Sequence, residues 1–187
     1  MPKHKRYQDY VIKAGRLVGE FDEMYKDFQD PWEQSLCERG RTEKNIALFL
    51  LERIKAKRVL ELGCGLGYYT NEIQRHGFDV LGVDVSPVAI QKAKARFPKC
   101  RFQAGDILDR AIYAKYKPDA IIMAEISWYV LEKLDSFKRF LRENPSLYVI
   151  HLLNTYPKGV QKHGKEFFSN LPEILDFYRM NYLEYGE

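Results

Sequence analysis

Long hydrophobic runs are missing from this 187-residue sequence. Its longest apolar stretches reach about six or seven residues, far short of the roughly 20 that carry a helix across a bilayer. No membrane span is therefore expected. The basic start, Met1-Pro2-Lys3-His4-Lys5-Arg6, is not followed by the apolar segment of a secretory signal. Cysteine is scarce: Cys37, Cys64 and Cys100 form no C-x-x-C pair and no zinc-ligand set. A low, odd count suits a reducing compartment, so a metal site is not expected and the cytoplasm is the default location. A strong charge of one sign is also lacking. The net charge is +4, with Lys and Arg dispersed among Asp and Glu. Clusters such as Arg53 to Arg58 read as solvated helix faces, and no aromatic-and-basic RNA-binding pattern appears, which argues against a nucleic-acid partner. Repeats and low-complexity tracts are absent, and the length fits one domain, 1–187.

What is present alternates between strand and helix. A helix is expected from Thr42, burying Ile46, Phe49, Leu50 and Ile54. Arg58–Leu62 reads as a strand, Tyr68–His76 as a helix stopped by Gly77, and Val80–Asp84 as the next strand. Ser86-Pro87 supplies an N-cap and an N1 proline for a helix to about Arg96. Strands at Arg101–Gln103, Asp119–Ala124 and Leu147–Leu152 follow, with a helix over Leu134–Glu143. The tail suggests a helix over Phe167–Met180 and a last strand at Tyr182–Tyr185. Such alternation predicts an α/β fold: a Rossmann-like, doubly wound, mostly parallel sheet, with ligands beyond the carboxyl ends of its strands. Residues 1–41 differ, being rich in aromatics with Phe21, Met24, Tyr25 and Phe28 at helical spacing. They are expected to form a helical arm on the 42–187 core, either covering apolar surface or closing over a ligand with Trp32 or Tyr10.

Chemistry concentrates at Glu61-Leu62-Gly63-Cys64-Gly65-Leu66-Gly67 and at Asp84, about 20 residues beyond the first glycine. Glycines after a buried strand admit the bulk of a nucleotide-like cofactor, and a later carboxylate takes its ribose hydroxyls. The third position of a dinucleotide fingerprint is Tyr68, too large for close helix–strand packing, so NAD is disfavoured. An acid at Glu61 suits a cationic ligand better than a pyrophosphate. No Walker lysine follows, so a P-loop is excluded. Cys64 is read as a small residue in a tight turn, with a reactive thiol as the alternative.

This Glu-x-Gly-x-Gly-x-Gly segment resembles motif I of class I S-adenosylmethionine (SAM) methyltransferases, and the resemblance continues through about residue 153. It implies that Gly63, Cys64, Gly65 and Gly67 line SAM or its product S-adenosylhomocysteine. Asp84 with Val85 and Ser86 would bind the ribose side, and Gly105-Asp106-Ile107 would contact adenine. Ala124-Glu125 would stand beside the methyl donor. Glu61 is expected to order the loop more than to touch the ligand.

Asp30-Pro31-Trp32, Glu38-Arg39-Gly40-Arg41 and Ala124-Glu125-Ile126-Ser127-Trp128-Tyr129 look like the NodS-like group, nodulation N-methyltransferases acting on a deacetylated amino sugar. The resemblance implies a small-molecule amine acceptor, with Trp32 and Arg41 on SAM and Arg41 pairing with its carboxylate. Glu125 and His151 are the candidate proton acceptors, with a hydrogen-bonded core histidine as the alternative for His151. Trp128, Tyr129 and Tyr10 are candidates for the substrate wall. An O-methyltransferase, or a SAM-binding module that needs a partner, remains open. Methyltransferases of this class usually end in an antiparallel hairpin, so the stop at Glu187 suggests either that the last strand is absent or that the chain has been shortened, leaving an edge that a second copy could cover in a homodimer.

Overall fold

The structure is a computed structural model describing residues 3–39, 42–156, 160–161 and 163–181, without the side chains of residues 37–39. The expected strand at Tyr182–Tyr185 lies outside them. The N-terminal arm contributes a short helix α1 (Gln8–Val11), a two-stranded hairpin of β1 (Ile12–Lys13) and β2 (Arg16–Leu17), and helix α2 (Phe21–Asp27). A 3-10 segment, Gln34–Arg39, leads toward helix α3 (Thr42–Arg53). The core then alternates: β3 (Arg58–Leu62), α4 (Tyr68–Arg75), β4 (Asp79–Asp84), α5 (Pro87–Arg96), β5 (Arg101–Ala104) and α6 (Arg110–Tyr116). It continues with β6 (Ala120–Ala124), α7 (Leu134–Glu143), β7 (Tyr148–Leu152) and α8 (Leu171–Tyr178).

The five core strands are parallel, in the order β5-β4-β3-β6-β7, with Leu60 beside both Leu81 and Ile121. The chain runs from β3 through β4 out to β5 at one edge, then returns through α6 to lay β6 on the other side of β3, and this reversal opens a crevice above the carboxyl ends of β3 and β6. Alternation along the strands separates two cores. Leu60, Leu62, Val83, Ile121 and Met123 face α7 and α8 through Phe137, Leu141 and Ile174. Val59, Val80, Ala120, Ile122 and Ile150 face α3 and α4 through Leu48, Leu51, Tyr69 and Ile73.

Three elements depart from expectation. Helix α3 turns Ala47, Leu48 and Leu51 inward, while Ile46 and Phe49 stay 51% and 60% exposed. Leu50 and Ile54 are only partly buried. The helix is apolar on more than one side, and the small Ala47 allows the closer approach to the sheet. Helix α8 is shorter than Phe167–Met180. Asn170 is the N-cap, accepting from the Glu173 N–H at 3.0 Å, while Glu173 takes the Ser169 N–H at 2.7 Å, so the helix begins there with Pro172 in its first turn. Helix α6 was not foreseen; Asp109 caps it by accepting from the Ala111 N–H at 3.0 Å.

Candidate cofactor and active site

The glycine loop is built as a set of backbone grips. The N–H groups of Gly63 and Cys64 both donate to the Val83 carbonyl, at 2.7 and 3.0 Å, which folds the end of β3 over β4. Asp84 then ties the loop to the next helix. One carboxylate oxygen accepts from Gly65 N–H at 2.8 Å and the other from Ser86 N–H at 2.9 Å. Ser86 is the N-cap of α5, accepting from Ala89 N–H at 3.1 Å, so Asp84 is not the cap. Burial, with a smaller repulsion from Asp22, pushes Asp84 up to about 6.

Glu61 is buried beneath the loop and accepts from the Thr70 hydroxyl. Its burial pushes it up to about 7, partly offset by the Thr70 bond. Cys64 is fully buried and its thiol is driven well above the usual range by desolvation. That favours the small packed residue over the reactive thiol. Gly67 begins α4 at φ +80°, and a Cβ there would meet Phe102 at 2.5 Å. Close packing, which a dinucleotide fingerprint places later in its motif, is here supplied by this last loop glycine. Gly63 approaches Ile126, so the loops after β3 and β6 touch.

The other side of the site is more mixed. Asp106 accepts from Leu108 N–H at 3.0 Å and forms an ion pair with Lys133, while Ile107 is buried and Gly105 backs onto Ile112. Val85 is half exposed. Glu125 follows Ala124 at the end of β6 with φ +62°, a conformation that side chains rarely adopt and that often marks functional turns. Its carboxylate oxygens accept from Asn154 N–H at 3.0 and 3.1 Å, spanning the ends of β6 and β7.

Three wall or base candidates turn inward. Trp128 is buried against Phe168 and Tyr156, with its indole N–H donating to the Asn154 carbonyl at 3.1 Å; the tail that packs on it makes it core. His151 is enclosed, its Nε2 lying 2.6 Å from the Ser127 hydroxyl, and burial lowers it to about 4. It matches the core-histidine alternative. Tyr10 is likewise fully buried, within the arm, where its hydroxyl donates to Asp27. Tyr129 is different: it meets Trp32 at 5.3 Å and Phe21 at 6.1 Å, joining the arm to the β6 loop. Arg41 lies outside the described residues.

Sequence reasoning missed the arm's polar grips. Gln34 reaches Leu66 and Cys64 of the glycine loop, and Asp22 accepts from the Ser86 hydroxyl and from Val88 N–H at 3.2 Å. The available signal was Asp30, which accepts from the N–H groups of Gln34 and Ser35, both at 2.8 Å, and so ties down the start of the 3-10 segment. Among the described residues no cluster of three or more His, Cys, Asp or Glu could hold a metal ion, and no helix is long and apolar enough to cross a membrane.

The donor set suits a nucleoside. Each Asp84 oxygen accepts one backbone N–H and keeps a lone pair for a ribose hydroxyl, beside a loop residue, Gly65, with no side chain. Fold and site together are those expected of a class I SAM-dependent methyltransferase domain. Comparison with known proteins agrees, since residues 59–144 match a family described as a methyltransferase domain. Nodulation protein S of Azorhizobium caulinodans is 32% identical over 111 residues, covering 57% of this chain and 52% of that protein. Magnesium-protoporphyrin O-methyltransferase of Rhodobacter capsulatus is 45% identical over 60 residues, 29% of this chain and 27% of that one. The crystal structure of DesVI from Streptomyces venezuelae superposes with a TM-score of 0.57 at 21% identity, covering 71% of this chain and 60% of that one, which shows the shared fold. Residues 59–144 are thus similar to a methyltransferase domain, and the chain spans from 27% to 52% of the length of these two curated relatives.

Proposed function

We propose that this chain transfers a methyl group from SAM to an amine on a small molecule, a sugar or related metabolite. The observation that carries the reading is the Asp84 carboxylate bridging Gly65 and Ser86 at the switch point of a methyltransferase domain. Asp84 would hold the ribose hydroxyls, the Gly63–Gly67 loop the methionine side, and Asp106 with Ile107 the adenine. SAM supplies a methyl carbon made electrophilic by its sulfonium.

The protein's own work is orientation and proton handling. An amine attacks only when neutral, and the methylated product must shed a proton. Glu125, held at the rim by Asn154 N–H, is the carboxylate suited to bind the acceptor's ammonium and to receive that proton on an Oε atom. Tyr129, near enough to feel the Glu125 charge and packed against Trp32, offers an aromatic face, which favours a sugar or a cation. The resemblance to the NodS-like group implies an amine acceptor, and the likeness to nodulation protein S agrees with that resemblance. The match to an O-methyltransferase covers only 60 residues, and a hydroxyl acceptor is the second reading.

Calorimetric titration with S-adenosylhomocysteine, with NAD as control, tests the cofactor. Micromolar binding of the former alone is expected, and no binding would overturn the proposal. A methyl-transfer screen of amino sugars against their hydroxyl counterparts then tests the acceptor, turnover of the amines being expected. Turnover of the hydroxyl compounds alone would select the second reading.

A further inference from the structure

We propose that Gln34 is a positioning residue of the cofactor site, through which the docked arm holds the glycine loop in its binding shape. The inference rests on the SAM reading above and goes beyond it in assigning a role to an arm residue. A carboxamide presents an acceptor and a donor side by side, as a peptide group does. Gln34 uses both on one stretch of backbone. Its Oε1 accepts from Leu66 N–H at 2.7 Å, and its Nε2 donates to the Cys64 carbonyl at 3.4 Å.

Between those two anchor points lies Gly65, whose own N–H donates to Asp84. The loop is therefore gripped from two sides, by the arm at residues 64 and 66 and by the expected ribose-binding carboxylate at residue 65. A Cβ on Gly65 would come within 2.6 Å of Gln34 Oε1 and 2.8 Å of the Tyr25 hydroxyl, so the absence of a side chain there is what lets the carboxamide reach the loop. Leu66 is fully buried, and its N–H precedes the first turn of α4, where helical backbone supplies no acceptor. Without Gln34 that donor would be buried and unmatched.

The arm is in turn fixed so that Gln34 stays in place. Asp30 accepts from the Gln34 N–H, Asp22 holds the start of α5, and Lys92 of α5 donates to the Phe28 carbonyl at 3.1 Å and to that of Tyr25. Both elements flanking Asp84, the glycine loop and the start of α5, are thus tied to the arm. Anything that favours the gripped loop favours the docked arm, and the reverse holds by linkage.

The test compares the full chain with its Gln34→Ala and Gln34→Met variants, Met filling the space without pairing. Two readings are taken: affinity for S-adenosylhomocysteine, and the rate of trypsin cleavage in the arm at Lys13, Arg16 and Lys26, with and without that ligand. Both variants are expected to bind about 5- to 20-fold more weakly, the scale of one or two lost hydrogen bonds. Arm cleavage should quicken in the ligand-free variants, and ligand should protect the arm less than in the parent chain. Equal affinity of Gln34→Met and the parent would overturn the pairing. Unchanged arm cleavage in the ligand-free variants would do so as well, even if the parent itself failed to bind and the SAM reading fell. Thermal melting of each variant separates these outcomes from global unfolding.

Discussion

Asp84, buried, and His151, half-buried, are ionisable residues near strand ends, yet their partners give them opposite roles. Asp84 faces two backbone donors, so a neutral isostere that brings its own donor must fail. In Asp84→Asn the amide N–H₂ has to point at either Gly65 N–H or Ser86 N–H. The expected cost is about 1–3 kcal/mol of stability, read by thermal melting. Calorimetry should show at least tenfold weaker binding of S-adenosylhomocysteine; undiminished affinity would remove Asp84 from the site. His151 faces one hydroxyl and an apolar wall, and burial lowers it to about 4. Between about pH 4 and 6.5 the unfolded chain takes up a proton that the folded one refuses, so His151 destabilises the fold increasingly as pH falls through that range. Replacing it by Asn removes the titrating group and the Ser127 bond. His151→Asn should melt lower at pH 7.5, and its deficit should shrink as pH drops toward 4.5. The sequence spacing made Asp84 legible because strand, glycines and acid are all local. Nothing local tells that Tyr178 and Phe168 of the tail enclose His151 and Trp128.

Strands and their connecting helices were legible because buried parallel strands read as continuous apolar runs bounded by turns. Which face a helix buries was less so. Helix α3 offers apolar residues on several sides, and only the sheet's shape selects Ala47, Leu48 and Leu51. Truncation sorts these faces: Leu51→Ala should cost about 2–5 kcal/mol by denaturant unfolding, whereas Phe49→Ser should stay within about 0.5 kcal/mol. Equal losses would mean that Phe49 is covered in solution. Helix α6 escaped notice because its seven residues include only two buried side chains, Ile112 and Tyr113. The loop before α4 gives a sharper test. Gly67 combines φ +80° with a Cβ position 2.5 Å from Phe102, so Gly67→Ala meets both backbone strain and overpacking. A loss of about 2–4 kcal/mol is expected, and a melting temperature equal to the parent's would refute the packing role of this glycine.

At the scale of the whole molecule, the fold buries two carboxylates near the carboxyl ends of the central strands. Glu61, pushed up to about 7, and Asp84, pushed up to about 6, both hold their protons in the folded state at pH values where the unfolded chain has released them. Through the window from about pH 4 to 7 the native state therefore binds more protons than the unfolded one, and these two groups make stability fall as pH rises. Glu61 is the cleaner probe, because Gln keeps an acceptor for the Thr70 hydroxyl while removing the charge. Glu61→Gln should gain on the parent as pH rises from 4.5 to 7 and hold that gain above it, by an amount on the order of 3 kcal/mol. Melting both proteins across pH 4.5–8 measures the gap. A gap that does not change with pH would mean that Glu61 ionises as an ordinary surface carboxylate does. Asp84 adds the functional counterpart: its ionised form is the better acceptor for ribose hydroxyls, so affinity for S-adenosylhomocysteine should rise through about pH 6 in the same chain whose stability these carboxylates lower. The contribution of these two carboxylates to stability and their contribution to cofactor binding then respond to pH in opposite directions, which is the expected mark of buried charges kept for a ligand rather than for the fold.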